Sequence, residues 1–267
     1  MAYQSNFLIK QSNWWEVSDI EKQELLNKEF DFGNGIKFKN KDIPDLAKQV
    51  NIPAGPKEHH PELNQLKHNN LVYDSARKLS NDPMVWFGAV MHDLGKVYTD
   101  EKLLPKHHGH ELAGVQPVSL VSDMLNVPKE WKDFAKAVAE HHLTCHNAKK
   151  LNPKTIRKLF KLFNSNKDLF TSYITSCEAD AKGRLGFEDF PYEQKDFLLK
   201  SIDEDIVEKK SSNLAVSGND LMKEFNLTQG PEIGNAIKYL KEIIEINPSL
   251  NDKKTLLDIF KKHYGKK

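Results

Sequence analysis

The chain has 267 residues and a formal charge of +1. That is enough length for one large domain or two small ones, and the whole-protein field points neither toward nucleic acid nor away from it, so any basic surface must be local. Two cysteines, Cys145 and Cys177, make neither a CxxC metal pair nor a disulfide framework, and the apolar run 84–91 is far too short to span a bilayer. The opening residues lack a charged-then-apolar signal pattern, so the expectation is a soluble, cytoplasmic protein with no membrane partner.

In chain order, residues 1–55 read as a small N-terminal extension. Ser18-Asp-Ile-Glu21 has the form of a capping box and predicts a helix to about Phe30. FDFGNGIKF (30–38) alternates apolar and polar residues around Gly33-Asn34-Gly35, which predicts a hairpin. Pro53-Ala-Gly-Pro56 is a breaker cluster and a boundary. Residues 56–195 are patterned as helices with few strand signals. Residues 191–212 turn polar and charged, with Asp203-Glu204-Asp205 and Lys209-Lys210, and read as a linker end. Helical patterning returns from Ser217 within a C-terminal segment, 196–267. There Pro231 opens a helix carrying Ile233, Ile237, Leu240, Ile243 and Ile244 at helical spacing, and Pro248 closes it before a last helix over 250–262.

Ten of the eleven histidines lie between His59 and His146. A helix brings i, i+3, i+4 and i+7 to one side, and several of these histidines fall on apolar sides. His68 joins the stripe Leu71, Val72, Ala76, Leu79. The stripe Val85, Ala89 ends at His92 and Asp93. His142 lies three turns beyond Trp131 on the face of Phe134, Ala135, Val138 and Ala139. The stripe Phe170, Tyr173, Ile174, Cys177 ends at Asp180. His110 precedes the stripe Gly114, Val118, Val121, Leu125, and because Pro117 cannot sit deep in a helix, that helix is expected to start only around Ala113. His141 and His146 are assigned to the surface.

A lone histidine on an apolar face is usually a hydrogen-bonded core residue. Four histidines and two aspartates at inward positions of five helices would need many separate partners, whereas one or two divalent metals would satisfy them together. Mixed nitrogen and oxygen ligation suits Mn, Fe, Co, Ni or Zn better than Ca or Mg. The expected ligands are His68, His92, Asp93, His110, His142 and Asp180, with Asp93 as the bridge. A buried carboxylate is costly unless paired or metal-bound, so the ion would be its partner.

The ordered set His68, His92-Asp93, His110, His142, Asp180 resembles the HD superfamily of metal-dependent phosphohydrolases, and the six-ligand form resembles its dinuclear members. HHPELNQLKH (59–68), MHDLGK (91–96), LPKHHGHELAG (104–114), LNPKTIRKLF (151–160) and CEADAKGRLGFE (177–188) are similar to the HD domain of bacterial tRNA nucleotidyltransferases, the CCA-adding enzymes. VSGNDLMKEFNLTQGPEIGNAIKYLKEIIE (216–245) is similar to the helical module at the tail of many of them. The resemblance implies a mainly α fold: an HD-domain helical bundle with a small N-terminal extension and a C-terminal helical module. Those enzymes also carry a polymerase head with a Gly-Gly turn and an Asp-x-Asp pair, which residues 1–55 do not contain. The expectation is therefore hydrolysis rather than nucleotide addition: 2′,3′-cyclic phosphodiesterase, 2′-nucleotidase or phosphatase activity on RNA (tRNA) 3′ ends or nucleotides. The alternatives are a phosphodiesterase of small cyclic signalling nucleotides, a non-catalytic metal-stabilised RNA-binding protein, and a di-iron oxygenase.

For hydrolysis, Asp93 would hold the metals that activate water, Lys96 would reach the phosphoryl oxygens as a point charge, and Arg184 would hold the phosphate bidentately. His107 and His108, beside His110, would protonate the leaving group. KKLNPKTIRKLFK (149–161) holds six cations and no acid, with Ile156, Leu159 and Phe160 inward. Lys149, Lys150, Lys154, Arg157, Lys158 and Lys161 are the candidate RNA-backbone track.

Overall fold

The computed structural model describes residues 13–211 and 214–264. The chain divides into two compact units, one ending at Leu199 and the other beginning at Lys200.

In the first unit, α1 (Asp19–Asn27) opens where the Ser18 hydroxyl accepts the Glu21 N–H. Glu21 itself reaches Lys67 instead of closing the box, and the helix ends three residues before Phe30. The chain then enters β1 (Glu29–Asp31), which pairs antiparallel with β2 (Lys37–Lys39) and sets Phe30 opposite Phe38. The expected hairpin is present, with Gly33, Asn34 and Gly35 all at positive φ in its loop. Strands this short cannot bury a face of their own. Phe30, Phe32 and Phe38, with Ile43 and Leu46, instead join Tyr73, Phe87, Met91 and Trp131 in one core. Residues 30–46 thus pack as part of the bundle.

After α2 (Pro44–Lys48), a loop is pinched by a bridge between Pro53 and Asn64. Asn64 then caps α3 (Gln65–Leu79), accepting the N–H groups of Leu66 and Lys67. α4 (Pro83–Met91) starts on an Asp82 cap with proline in its first turn. Its apolar composition fits a helix buried on several sides. A tight turn over Leu94–Tyr98 follows.

The helix that carries Pro117, α6 (Val115–Met124), begins near Ala113 as expected, but His110 is not outside helical structure: it opens a separate single turn, α5 (His110–Ala113). Pro117 sits in the first turn of α6, where its missing N–H has no intrahelical role. α5 can approach the turn after Asp93 because residue 95 is glycine: a Cβ there would lie 2.0 Å from the His110 carbonyl oxygen and 2.5 Å from the Gly114 nitrogen.

α7 (Lys129–His146) runs four residues beyond His142. α8 (Pro153–Leu162) and α9 (Lys167–Lys182) complete the frame, and α9 packs on α3, α4 and α7. α10 (Glu193–Ser211) is a continuous helix across the stretch that composition assigned to a linker end. Lys and Glu are good helix formers, and composition alone does not distinguish a charge-rich helix from a linker.

The second unit contains α11 (Gly218–Phe225), opened by a complete Ser217–Asp220 capping box, α12 (Pro231–Ile246) and α13 (Lys253–Tyr264). Leu221, Ile233, Leu240, Ile244, Leu256 and Phe260 form its core. No helix among the described residues is long and apolar enough to cross a membrane.

Candidate metal centre

Four helices deliver imidazoles to one buried place. His92 closes α4, and its Nδ1 lies 2.7 Å from the Ala89 carbonyl oxygen. His142 on α7 repeats the arrangement, with Nδ1 2.8 Å from the Ala139 carbonyl. His110 opens α5 with Nδ1 2.5 Å from the His107 carbonyl. In each case Nδ1–H donates to a carbonyl three residues back, so that a metal-bound, neutral ring would present its lone pair on Nε2 and aim it inward. His68 on α3 differs. Its Nδ1 faces Glu62 Oε1 at 2.9 Å, and its Nε2 is 3.1 Å from Asp180 Oδ1 on α9.

Three groups have candidate donor atoms within 4.8 Å of one another: His68–His92–Asp180 and Asp93–His110–His142 on the cavity floor, and His60–Glu62–His68 behind His68. Asp93 faces both floor groups. Its Oδ2 is 3.0 Å from His92 Nε2, and its Oδ1 is 3.1 Å from His110 Nε2 and 3.6 Å from His142 Nε2. The separate orientation of its two oxygens fits a bridging carboxylate.

These residues fit a divalent metal on a specific ground. His110 Nε2 and His142 Nε2 are 3.1 Å apart, and each ring already donates through Nδ1, so two lone pairs point at one another. Protonating His142 is an unfavourable escape, because burial and the positive charge of His92 lower its pKa to about 3. Buried His92 Nε2 faces Asp93 Oδ2, and buried Asp93 Oδ1 faces His110 Nε2, without hydrogen-bond geometry. A cation between these atoms satisfies all of them, and the donor set suits a transition metal.

The surrounding charges polarise the site. Burial alone would lower the pKa of His92, but the Asp93 and Asp180 carboxylates outweigh it and raise the pKa to about 10. Burial would raise Asp93, yet His92 and Lys96 hold it well below the usual carboxylate range. Asp180 is lowered in the same way by His92 and His146 against its burial.

Of the expected catalytic groups, Asp93, Lys96, His107 and Arg184 line the cavity. Lys96 is only 6% exposed. Its ammonium lies 2.6 Å from Asp93 Oδ2 and donates to the Ala54 carbonyl at 2.6 Å and Gln65 Oε1 at 3.0 Å. It is committed to neutralising Asp93, which leaves it no free donor to reach a phosphoryl group. His107 has Nδ1 3.1 Å from Thr99 Oγ1 and Nε2 2.8 Å from the Pro53 carbonyl, and burial lowers its pKa to about 4. It anchors the 53–64 loop instead of offering a proton. His108 is exposed and outside the cavity lining. Arg184 is on the cavity wall, but its Nε donates to the Ala181 carbonyl and its guanidinium lies 4.6 Å from the Phe187 ring centroid.

Two groups were missed from the sequence. His146, assigned to the surface, has Nε2 2.6 Å from Asp180 Oδ2 and Nδ1 2.9 Å from the Tyr192 hydroxyl. The signal was available, since His146 is one helical turn beyond His142 on the same face. Glu62 is the other. Its Oε1 sits 2.8 Å from His60 Nδ1 and 2.9 Å from His68 Nδ1, and it lies in a loop with no periodicity to read. His141 is half-buried beside the site.

A cavity of about 770 Å³ opens over this floor. Asp93, His110, His142 and Asp180 form its deep wall, and Lys150, Arg184, Phe187 and Phe190 line it nearer the surface-exposed loops. In the basic run, α8 buries Ile156, Leu159 and Phe160 and exposes Lys154; Lys158 and Lys161 are exposed with it, whereas Arg157 is half-buried. Lys149 is paired with Glu193, and Lys150 donates to Asn147 Oδ1 at 3.2 Å.

Residues 66–165 match the HD domain family. The chain is also similar to multifunctional CCA proteins. That of Methylococcus capsulatus is 33% identical over 202 residues, 74% of this chain and 45% of the relative. That of Actinobacillus pleuropneumoniae is 38% identical over 158 residues, 57% of this chain and 38% of the relative. That of Thioalkalivibrio sulfidiphilus is 36% identical over 197 residues, 73% of this chain and 46% of the relative. The matched stretch is thus less than half the length of each of these relatives.

Proposed function

We propose that this chain, which carries an HD domain of the metal-dependent phosphohydrolase superfamily, hydrolyses phosphoesters at RNA 3′ ends or on nucleotides, foremost 2′,3′-cyclic phosphates and 2′-phosphates. The observation that carries the reading is the facing pair His110 Nε2 and His142 Nε2, locked by their Nδ1 donors and backed by Asp93.

One or two divalent ions (Mn, Ni, Co, Fe or Zn) would be held by His68, His92 and Asp180 on one side and by His110 and His142 on the other, with Asp93 between. Bound there, such ions lower the pKa of water toward neutrality and offset charge growing on phosphoryl oxygens. The chain's own groups prepare that chemistry. Backbone carbonyls fix three imidazole tautomers. Glu62 and His146 orient His68 and Asp180. Lys96 balances the Asp93 charge from the side away from His110 and His142, so the carboxylate stays ionised without a proton. Lys150 at the cavity mouth supplies a cation for a phosphate backbone, and the exposed Lys154, Lys158 and Lys161 extend the basic surface beyond it as a track for RNA. The similarity to CCA proteins supports RNA as the substrate class.

The test is a metal-by-substrate screen on the purified chain, with 2′,3′-cyclic mononucleotides, RNA ending in a 2′,3′-cyclic phosphate, and 3′,5′-cyclic nucleotides, each with added Mn, Ni, Co, Fe or Zn. Cleavage of the first two is expected. Cleavage of 3′,5′-cyclic nucleotides alone would replace this reading with that of a signalling phosphodiesterase, and no cleavage with any metal would end it.

A further inference from the structure

Between Gly183 and Pro191 the chain leaves α9 and folds along the cavity before α10 begins. It turns through Gly186 at φ 80°. The Phe187 N–H donates to the Arg184 carbonyl at 3.0 Å, and the Phe190 N–H to the Phe187 carbonyl at 3.2 Å. Lys182, in the last turn of α9, clamps the loop by donating to the Glu188 carbonyl at 3.0 Å and the Phe190 carbonyl at 2.9 Å. Both ends are tied to groups that support the metal centre. The Leu185 N–H reaches Glu62 Oε2 at 3.4 Å, and the Tyr192 hydroxyl is 2.9 Å from His146 Nδ1.

A loop held this closely nonetheless presents two phenyl rings on the cavity lining. Phe190 is 60% exposed and Phe187 is half-buried. Their centroids are 5.4 Å apart with planes inclined by 38°. Arg184 covers one side of Phe187. Single exposed apolar residues are ordinary. Two neighbouring rings fixed by backbone clamps, beside a guanidinium and in the same cavity as a phosphate-type site, form a surface of a particular kind. Aromatic faces stack on nucleobases, and the adjoining cations match the phosphate.

We propose that Phe187 and Phe190 form a nucleobase subsite, on which the unpaired base of the terminal nucleotide stacks while its phosphate lies at the Asp93–His110–His142 centre. This rests on the phosphohydrolase reading and narrows its substrate class. Free nucleotides and single-stranded ends fit the subsite. Base-free phosphoesters forgo its contribution, and an end closed within a duplex cannot offer a free base face.

The test compares 2′,3′-cyclic AMP with methyl riboside 2,3-cyclic phosphate, which keeps the sugar and the reacting group and lacks the base. Full-length wild type, Phe190→Ala and Phe190→Trp are assayed with the same metal, and their melting temperatures are checked. The ratio of kcat/KM for the nucleotide over the base-free ester is expected to fall about tenfold in Phe190→Ala, the range of one lost base–aromatic stack, through KM, and to recover in Phe190→Trp. An unchanged ratio overturns the subsite even where both esters are cleaved. If the wild type cleaves neither ester, the hydrolytic reading fails by itself, and equilibrium dialysis with AMP decides the subsite. Binding about tenfold weaker in Phe190→Ala and restored in Phe190→Trp upholds it. Equal or absent binding by all three proteins sinks it.

Discussion

The floor and the mouth of the cavity are built by different means. On the floor, three imidazoles are oriented by carbonyls of their own chain three residues back. Lys96 and Asp93 neutralise one another out of water, at 6% and 2% exposure. At the mouth, Lys150 donates to Asn147 Oδ1 and Lys182 clamps a loop by its carbonyls, in contact with solvent. The floor is therefore a place where every group depends on its neighbours, because an unpaired charge in a low dielectric is costly. The mouth tolerates change, because water substitutes for a lost partner. Variants at the two places should accordingly differ by several kcal/mol in stability.

The sharpest break of that contrast is Asp93→Ala. It leaves the Lys96 ammonium buried with only the Ala54 carbonyl and Gln65 for company. A loss of about 3–5 kcal/mol is expected, the usual cost of breaking a buried pair from one side, read from denaturant unfolding of the metal-free protein. Lys150→Ala, at the mouth, should leave the unfolding midpoint unmoved. Equal effects would mean that Lys96 escapes to water and that the floor is not closed. Next in size is metal binding. At a free ion concentration of a hundred times Kd, Mn or Ni should stabilise the protein by about 2.7 kcal/mol, reversibly with a chelator. His142→Gln should remove most of that gain and Lys150→Ala none of it. Stabilisation that survives His142→Gln would place the ion elsewhere.

The same contrast explains what was legible in the sequence. His68, His92, Asp93, His142 and Asp180 sit on or at the ends of helices whose apolar stripes point inward, and periodicity alone directs them to the core. The tautomer lock is equally local, since it joins a residue to a carbonyl three positions earlier. What pattern reading could not supply is contact between distant segments. Glu62 reaches His68 from a loop, and Lys96 is turned back onto Asp93 by the tight turn that follows α4. Neither leaves a periodic trace. Lys96 meets Asp93, Ala54 and Gln65 for that reason: a lysine's number says where its Cα lies, and a flexible stem decides which acceptor it meets. His146 was lost differently: it was assigned to the surface although α7 runs on to it, one turn past His142 on the same face. α10 was misread because a charge-rich composition is shared by helices and linkers.

Glu62→Gln is the next prediction, and it tests whether the floor extends behind its first ring of residues. The amide keeps the shape and loses the charge that faces His68 Nδ1 and His60 Nδ1. A loss of about 10–100-fold in metal affinity is expected, the usual range for a carboxylate behind a ligating histidine, measured by metal titration. The fold should survive, because no buried cation is left unpaired. No change in affinity would assign Glu62 to holding the 53–64 loop alone.

The smallest effect belongs to the exposed cations of α8. Lys154→Ala, Lys158→Ala and Lys161→Ala each remove a charge that lies in water and away from the buried Ile156, Leu159 and Phe160, so folding and turnover of a cyclic mononucleotide should be unaffected. If these lysines track an RNA backbone, each substitution should reduce the slope of log Kd against log salt by about 0.7 for a single strand, with little dependence on base sequence. The triple variant should then lose about two units of slope while keeping its activity on the mononucleotide. That pairing separates the two parts of the molecule cleanly: a slope lost with turnover kept locates RNA affinity outside the buried centre. An unchanged slope would return the run to an ordinary solvated face and leave RNA recognition to the cavity and its mouth.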